Sequence, residues 1–424
     1  MRLLPLLLVA AVVVGCDSGS ESEPRPAPPP PEITRAELEQ HLSALQEIAD
    51  EHGGTRAAGT PGDRASVDYV ARRLREARWR VQLQPLRFPY FALRRASLNI
   101  AGRRLRRARD FEVLSYSGSG RANGRLRRLL AGCAAEEYVG LGARDVPLVS
   151  RGQCFFRMKA INAQAAGARA LVVIDESPTR RGVPSGTLAG PGVRIPVVFV
   201  SSEFVRDGAE VRVAVDAVSE RRVTHNVIAE TPGGEGRVVM AGAHLDSVRG
   251  GPGINDNGSG AATLIEAAEA IGPDPPGARV RLAFWGAEEL GLLGSRRYVR
   301  SLDRVARRRI RAYVNLDMVG SPNAVPELYA DGNARVGRVL RRAAGSSLGR
   351  VAAGRSSDHA PFAAAGVPVN GLYTGSTEPG PGGRPRDPCY HLACDTLDNV
   401  NRPVLLGMAR AAAEALRDIS AQAK

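Results

Sequence analysis

Hydrophobic and polar positions alternate in two different rhythms along this chain of 424 residues. Beyond a leading apolar run, TRAELEQHLSALQEIADEHGG (34–54) sets apolar residues at helical spacing between a capping Thr34 and a closing glycine pair, which predicts a helix. A second helix is expected in GDRASVDYVARRLREARW (62–79), followed by a short strand, RVQLQPL (80–86). From about 87 to 221 the pattern changes to short strands, turns and arginines, relieved only by RMKAINAQAAGARALVVID (157–175), which reads as a helix feeding a buried strand. At 225 the first rhythm resumes. RVVMAGAH (237–244), GSGAATLIEAAEAI (258–271), RVRLAFWGAEE (279–289), LLGSRRYVRSL (292–302) and IRAYVNLDM (310–318) alternate strand with helix. Continuous apolar strands separated by helices indicate an α/β fold with a mixed, mainly parallel sheet covered on both faces. The middle segment is therefore expected to be a β-rich insert, 87–221, in a domain made of 34–86 and 222–424. No internal repeat is found.

The ends of those strands carry the candidate chemistry. In open α/β sheets the ligand crevice lies beyond the carboxyl ends of the strands. There His244 and Asp246 close one strand, Glu288 and Glu289 the next, and Asp317 a third. Asp256 sits in the glycine-rich loop GGPGINDNG (250–258), and His391 in the late loop PCYHLACDT (388–396). Alone, each is an ordinary polar terminus. Together they would repel unless cations neutralised them, and imidazoles among carboxylates suit zinc better than calcium or magnesium. A pair of metals needs a bridging carboxylate, which a loosely constrained Asp256 can supply.

Composition changes the picture less than charge alone suggests. A formal charge of +14 invites a nucleic-acid reading. However, the basic residues are almost all arginines, scattered in runs such as RRLRRAR (103–109) and RVARRRIR (304–311), which fits a solvated surface better than a binding face. No nucleic-acid partner is expected, and the chain is taken to act as a monomer. The amino terminus, MRLLPLLLVAAVVVGC, has one early basic residue and an apolar run too short to span a bilayer. Its end, Val13 to Cys16, resembles the lipobox of bacterial lipoproteins, which implies cleavage before Cys16, lipid attachment there, and an exported chain on a bacterial membrane. Residues 17–33, rich in Ser and Pro, read as a tether. Export leaves Cys133, Cys154, Cys389 and Cys394 in an oxidising compartment. Three pairings are open, and the local one, 133 with 154 and 389 with 394, is favoured because each pair lies within one module.

GAHLDSV (242–248), GPGINDNGSGAA (251–262), AFWGAEELGLLGS (283–295), NLDMVG (315–320), SSDHAPF (356–362) and CYHLACDT (389–396) resemble, in order, the motifs of the co-catalytic zinc aminopeptidase family, of the secreted leucine aminopeptidase type. The resemblance implies a three-layer zinc-exopeptidase fold and two zinc ions. His244 and Asp317 would hold one ion, Glu289 and His391 the other, and Asp256 both. It also implies a cis bond after Asp256, Glu288 as general base, Asp246 as the partner that fixes the His244 ring, and Tyr390 as a donor to the oxyanion. Along an extended backbone Glu288 and Glu289 would point apart, one to water and one to metal. Tyr373 resembles a wall of the pocket for the first, usually apolar, side chain. Arg355 resembles an arginine near the substrate's free amine, with an extra serine between it and Asp358. VPLVSRGQCFFRMKAINAQAAGARALVVID (146–175) with RIPVVFV (194–200) resembles a protease-associated domain, implying a lid beside the site. The expected substrates are peptides with a free amino terminus. Relatives of the fold also include carboxypeptidases, dipeptidases and glutaminyl cyclases, and a metal-free binding protein is a further alternative.

Overall fold

The computed structural model describes residues 32–176, 183, 185–232, 236–275, 277–345 and 348–423. The signal segment with Cys16, and most of the tether, lie outside the described residues. The first helix, α1 (Arg35–Glu51), starts as expected: Thr34 and Glu37 close a reciprocal capping box, with Oγ1 of Thr34 accepting the Glu37 N–H at 3.3 Å and Glu37 accepting the Thr34 N–H at 3.0 Å. Helix α2 (Pro61–Glu76) follows, capped by Thr60 and begun by a proline at its first position.

The next element departs from expectation. Instead of a short strand, β1 runs unbroken from Arg80 to Ile100 and pairs along nearly its whole length with β8 (Glu210–Glu230). Pro85 and Pro89 both sit in the ladder, opposite His225 and Arg221. The pattern changes near 87 and 221 thus fall inside two paired strands. Their 80–84 and 226–230 ends join the first core, and their far ends join a second.

Between them lie β2 (Arg103–Leu105), β3 (Phe111–Val113), β4 (Gly120–Arg128), β5 (Asp145–Ser150), α3 (Phe156–Ala165), β6 (Leu171–Asp175) and β7 (Val197–Ser201). After β8 come β9 (Val238–His244), α4 (Ser259–Ile271), β10 (Arg279–Trp285), α5 (Leu293–Ser301), α6 (Arg304–Arg309), β11 (Ile310–Leu316), β12 (Glu327–Tyr329), α7 (Ala334–Ala343), β13 (Gly349–Val351), α8 (His359–Ala364), β14 (Val369–Tyr373) and α9 (Arg402–Gln422). One mixed sheet carries all of these strands, in the order β13, β12, β14, β11, β9, β10, β8, β4, β5, β6, β7, β3, with β1 on β8 and β2 on β1. Strands β10, β9, β11 and β14 run parallel, so their carboxyl ends share one edge.

Helices cover both faces of the first half. On one side Leu42, Leu45, Val70, Leu264, Leu405 and Leu416 pack onto Val239, Ala241, Leu282 and Val314. On the other, Trp285, Tyr298, Tyr313 and Phe362 form an aromatic cluster, with Tyr313 and Phe362 stacked at 4.0 Å. The second half has its own apolar clusters, around Leu148, Val172 and Val198 and around Leu171, Val173 and Phe199. Both disulfides form as expected, Cys133 with Cys154 and Cys389 with Cys394.

Candidate metal centre

Strand β9 is buried at every position because both its faces are covered, and its last residue, His244, emerges at the shared edge. Asp317 follows the last residue of β11. Asp256 arrives on a loop folded back on itself. Gly253 there adopts φ 65°, and a Cβ added to Gly251 would lie 2.2 Å from the Leu392 carbonyl oxygen, so the loop needs glycine to approach the His391 segment. The Asp256–Asn257 peptide bond is cis, as the resemblance implied.

The side chains converge around Asp256. Its Oδ1 lies 3.1 Å from Nε2 of His244, and its Oδ2 lies 3.2 Å from Nε2 of His391. His244 Nε2 is also 3.4 Å from Asp317 Oδ1, and His391 Nε2 is 3.2 Å from Glu289 Oε2. All five expected ligands therefore meet, in two pairs on either side of one carboxylate. Burial opposes charge on His244, but the carboxylates of Glu288 and Asp317 and the hydrogen bond to Asp256 raise its pKa well above the ordinary value. Hydrogen bonds to Asp256 and Glu289 likewise push His391 up to about 10. Asp256 is buried, yet the two imidazoles hold it far below the usual carboxylate range.

This donor set fits divalent cations. Buried oxygens Oδ1 of Asp317 and Oε1 of Glu289 have no hydrogen-bond partner among the described residues, and atoms of His244, Asp256 and Glu289 lie within 4.8 Å of one another. Two imidazoles and carboxylates are the ligands zinc prefers.

One expectation needs correcting. Glu288 and Glu289 do not lie on an extended backbone: β10 ends at Trp285, Ala287 has φ 57°, and the Gly291 and Leu292 N–H groups donate to the Glu288 carbonyl at 2.7 and 2.8 Å. The turn, rather than strand alternation, separates the two side chains. Asp246 meets the His244 ring through its main chain. The main-chain carbonyl of Asp246, 2.9 Å from His244 Nδ1, orients the ring, while the Asp246 carboxylate accepts the Glu288 N–H at 3.0 Å. Asp246 thereby anchors the turn that carries Glu288. Burial raises the Glu288 pKa well above normal, and nearby Asp358, Asp317 and Asp246 add to the shift against the pull of His244.

Three supports were not foreseen. Arg56, between α1 and α2, is fully buried and donates to the carbonyls of Pro252 at 2.9 Å, Gly253 at 2.7 Å and Leu245, tying the Asp256 loop to the end of β9. Burial lowers its pKa to about 10 despite the surrounding acids. Asp395 accepts the N–H groups of Asn255 and Asp256 at 2.8 and 3.0 Å, linking the His391 loop to the bridging residue. Ser357, the extra serine, donates to Asp317 Oδ2 at 2.6 Å and accepts from Asn315 at 2.9 Å. The sequence signal for the first is slight, a single arginine among small residues in TRAAGT (55–60).

A cavity of about 490 Å³ opens over the cluster. Its walls include Met318, Tyr329, Val351, Tyr373 and Tyr390. Tyr373 donates to Glu378 at 2.9 Å, and the Tyr390 ring stacks on His391 at 3.8 Å. Arg355 is exposed and lines the cavity without an ion-pair partner among the described residues.

Residues 226–416 match peptidase family M28, and residues 128–207 match the PA domain. The chain is 35% identical to an aminopeptidase of Pseudomonas aeruginosa, over 86% of this chain and 77% of that one. It is 37% identical to the probable lipoprotein aminopeptidase LpqL of Mycobacterium tuberculosis, over 86% and 81%. Among solved structures it superposes on BSAP, a zinc aminopeptidase from Bacillus subtilis, with TM-score 0.61 and 27% identity over 90% of this chain and 94% of that one.

Proposed function

The chain belongs to peptidase family M28 and is a metallo-aminopeptidase, and on that premise we propose that it removes the first residue, preferentially an apolar one, from peptides with a free amino terminus, using two zinc ions and Glu288 as general base. One observation carries this reading: the two oxygens of Asp256 face a histidine each, and each histidine is paired with a further carboxylate. His244 and Asp317 would hold one ion, His391 and Glu289 the other, with Asp256 shared. When bound, such a pair acidifies water and polarises a carbonyl.

The chain's own groups supply the rest. Glu288, with its affinity for protons raised by burial and fixed by its N–H to Asp246, takes a proton from the attacking water and returns it to the leaving amine. Burial and the neighbouring carboxylates push the Tyr390 phenol far up, so it remains a hydrogen-bond donor at the oxyanion. Tyr373, held by Glu378, and the apolar side chains of Met318 and Val351 form the wall for the first side chain, with Arg355 at the rim. In this reading 34–86 and 222–424 form the catalytic unit and 87–221 its protease-associated insert.

A panel of aminoacyl chromogenic amides, assayed with and without chelator alongside metal analysis, tests this. Leucine and phenylalanine derivatives should react fastest, chelator should abolish turnover and zinc restore it, with two zinc ions per chain. Turnover that survives chelation, or a single ion in the active protein, contradicts it. We also infer export and anchoring through lipid on Cys16. Cys16→Ser should release a soluble protein from membranes; continued membrane attachment would refute that anchor.

A further inference from the structure

A second cleft, of about 400 Å³, lies where the insert meets the catalytic half, and Glu289 lines both it and the cavity over the metal centre. Its walls are Tyr90 and Phe91 from β1, Tyr116 from the insert, and Leu290 and Arg249 from the catalytic half. Phe91 and Tyr116 meet at 5.8 Å, and Leu290 is 49% exposed, so a large apolar surface faces the cleft. At one edge stands the Arg249 guanidinium, 5.0 Å from the centre of the Tyr90 ring, with no carboxylate partner among the described residues. Its neighbour over the same ring, Arg222 at 3.5 Å, is by contrast bonded to Glu220 at 2.8 Å and to the Gly59 carbonyl at 2.9 Å.

The position of the cleft determines what it can receive. The wall for the first side chain, with Tyr373 and Met318, lies with Asp317 in the first cavity, whereas the second cleft opens beside Glu289. The turn after Arg249 packs against the main chain of His391 and Leu392, so this arginine stands at the Glu289–His391 end of the centre. A peptide whose first residue fills the first cavity places its scissile carbonyl over the carboxylates, and its remaining residues pass this end.

We propose that the cleft between insert and catalytic half is the subsite for the residues downstream of the scissile bond: Tyr90, Phe91 and Tyr116 receive an apolar second side chain, and Arg249 binds the terminal carboxylate of a short peptide. This rests on the aminopeptidase reading above and adds a substrate class to it, short peptides with a free carboxyl terminus. The insert then selects for substrate length.

The test compares the wild-type chain with Arg249→Ala and Arg249→Glu on three substrates: leucine p-nitroanilide, the tripeptide Leu-Phe-Ala, and the same tripeptide as its C-terminal amide. Losing one charge-assisted hydrogen bond should raise KM for the free acid about tenfold in Arg249→Ala, leaving the amide and the anilide unchanged. Arg249→Glu should make the acid poorer than the amide. Equal changes on all three substrates, or none on any, overturn the subsite while the anilide activity keeps the aminopeptidase reading intact. A wild-type chain inert on every substrate would sink both.

Discussion

Glu288 illustrates how one side chain acquires a role from its surroundings. Its carboxyl is raised by burial, its backbone is fixed to Asp246, and its neighbour Glu289 is turned away toward His391. Glu288→Gln keeps size and polarity but cannot accept the proton. It should lower kcat by about 10²- to 10⁴-fold while metal content, measured on the same protein, stays intact; undiminished turnover would remove Glu288 from the reaction. The five converging side chains and Glu288 were legible in the sequence because they stand in ordered motifs, some just beyond strand ends and Asp256 and His391 in loops. Arg56 and Asp395 were not, because what defines each is a set of main-chain partners brought close only by the fold: three carbonyls about 190 residues away for Arg56, and the Asn255 and Asp256 N–H groups for Asp395. For Asp246 the resemblance named the residue but not the group that faces the His244 ring, which is its main-chain carbonyl.

At the scale of elements, the alternating helices and strands around the centre follow their hydrophobic rhythm, whereas β1 and β8 do not respect the boundary that composition marks. Each changes core midway, so each half of the strand carries a different burial pattern, and the prolines in β1 look like terminators although the ladder accommodates them. The insert has its own local fastening. Glu137 accepts four main-chain N–H groups, from Ala131, Gly132, Cys133 and Ala134, at 2.7 to 3.1 Å beside the Cys133–Cys154 bridge. Partial burial opposes ionisation there, but the four donors outweigh it and bring the pKa down to about 2. Because the folded value lies below the unfolded one, the unfolded chain binds more protons between about 4.5 and 2, and this contribution to stability is present above that window and lost as pH falls through it. Melting curves across that range should show a shallower pH dependence for Glu137→Gln than for the parent. An identical slope would mean that the four donors do not favour the ionised carboxylate.

For the whole molecule, function is assembled from distant stretches. The segment between the first two helices supplies Arg56, the ends of β9 and β11 supply His244 and Asp317, a turn after β10 supplies Glu288 and Glu289, loops supply Asp256 and His391, and the insert lines the neighbouring cleft. Arg56 is buried beneath the centre, Arg296 and Arg355 line the first cavity and Arg249 the second cleft, whereas the runs at 103–109 and 304–311 line neither. Among the described residues no helix is long and apolar enough to cross a membrane. The central claim is that two cations share Asp256, and anomalous scattering from crystals grown with zinc tests it most directly. Two peaks should flank Asp256, one between His244 and Asp317 and the other between His391 and Glu289; a single peak, or none among these five side chains, would contradict the account.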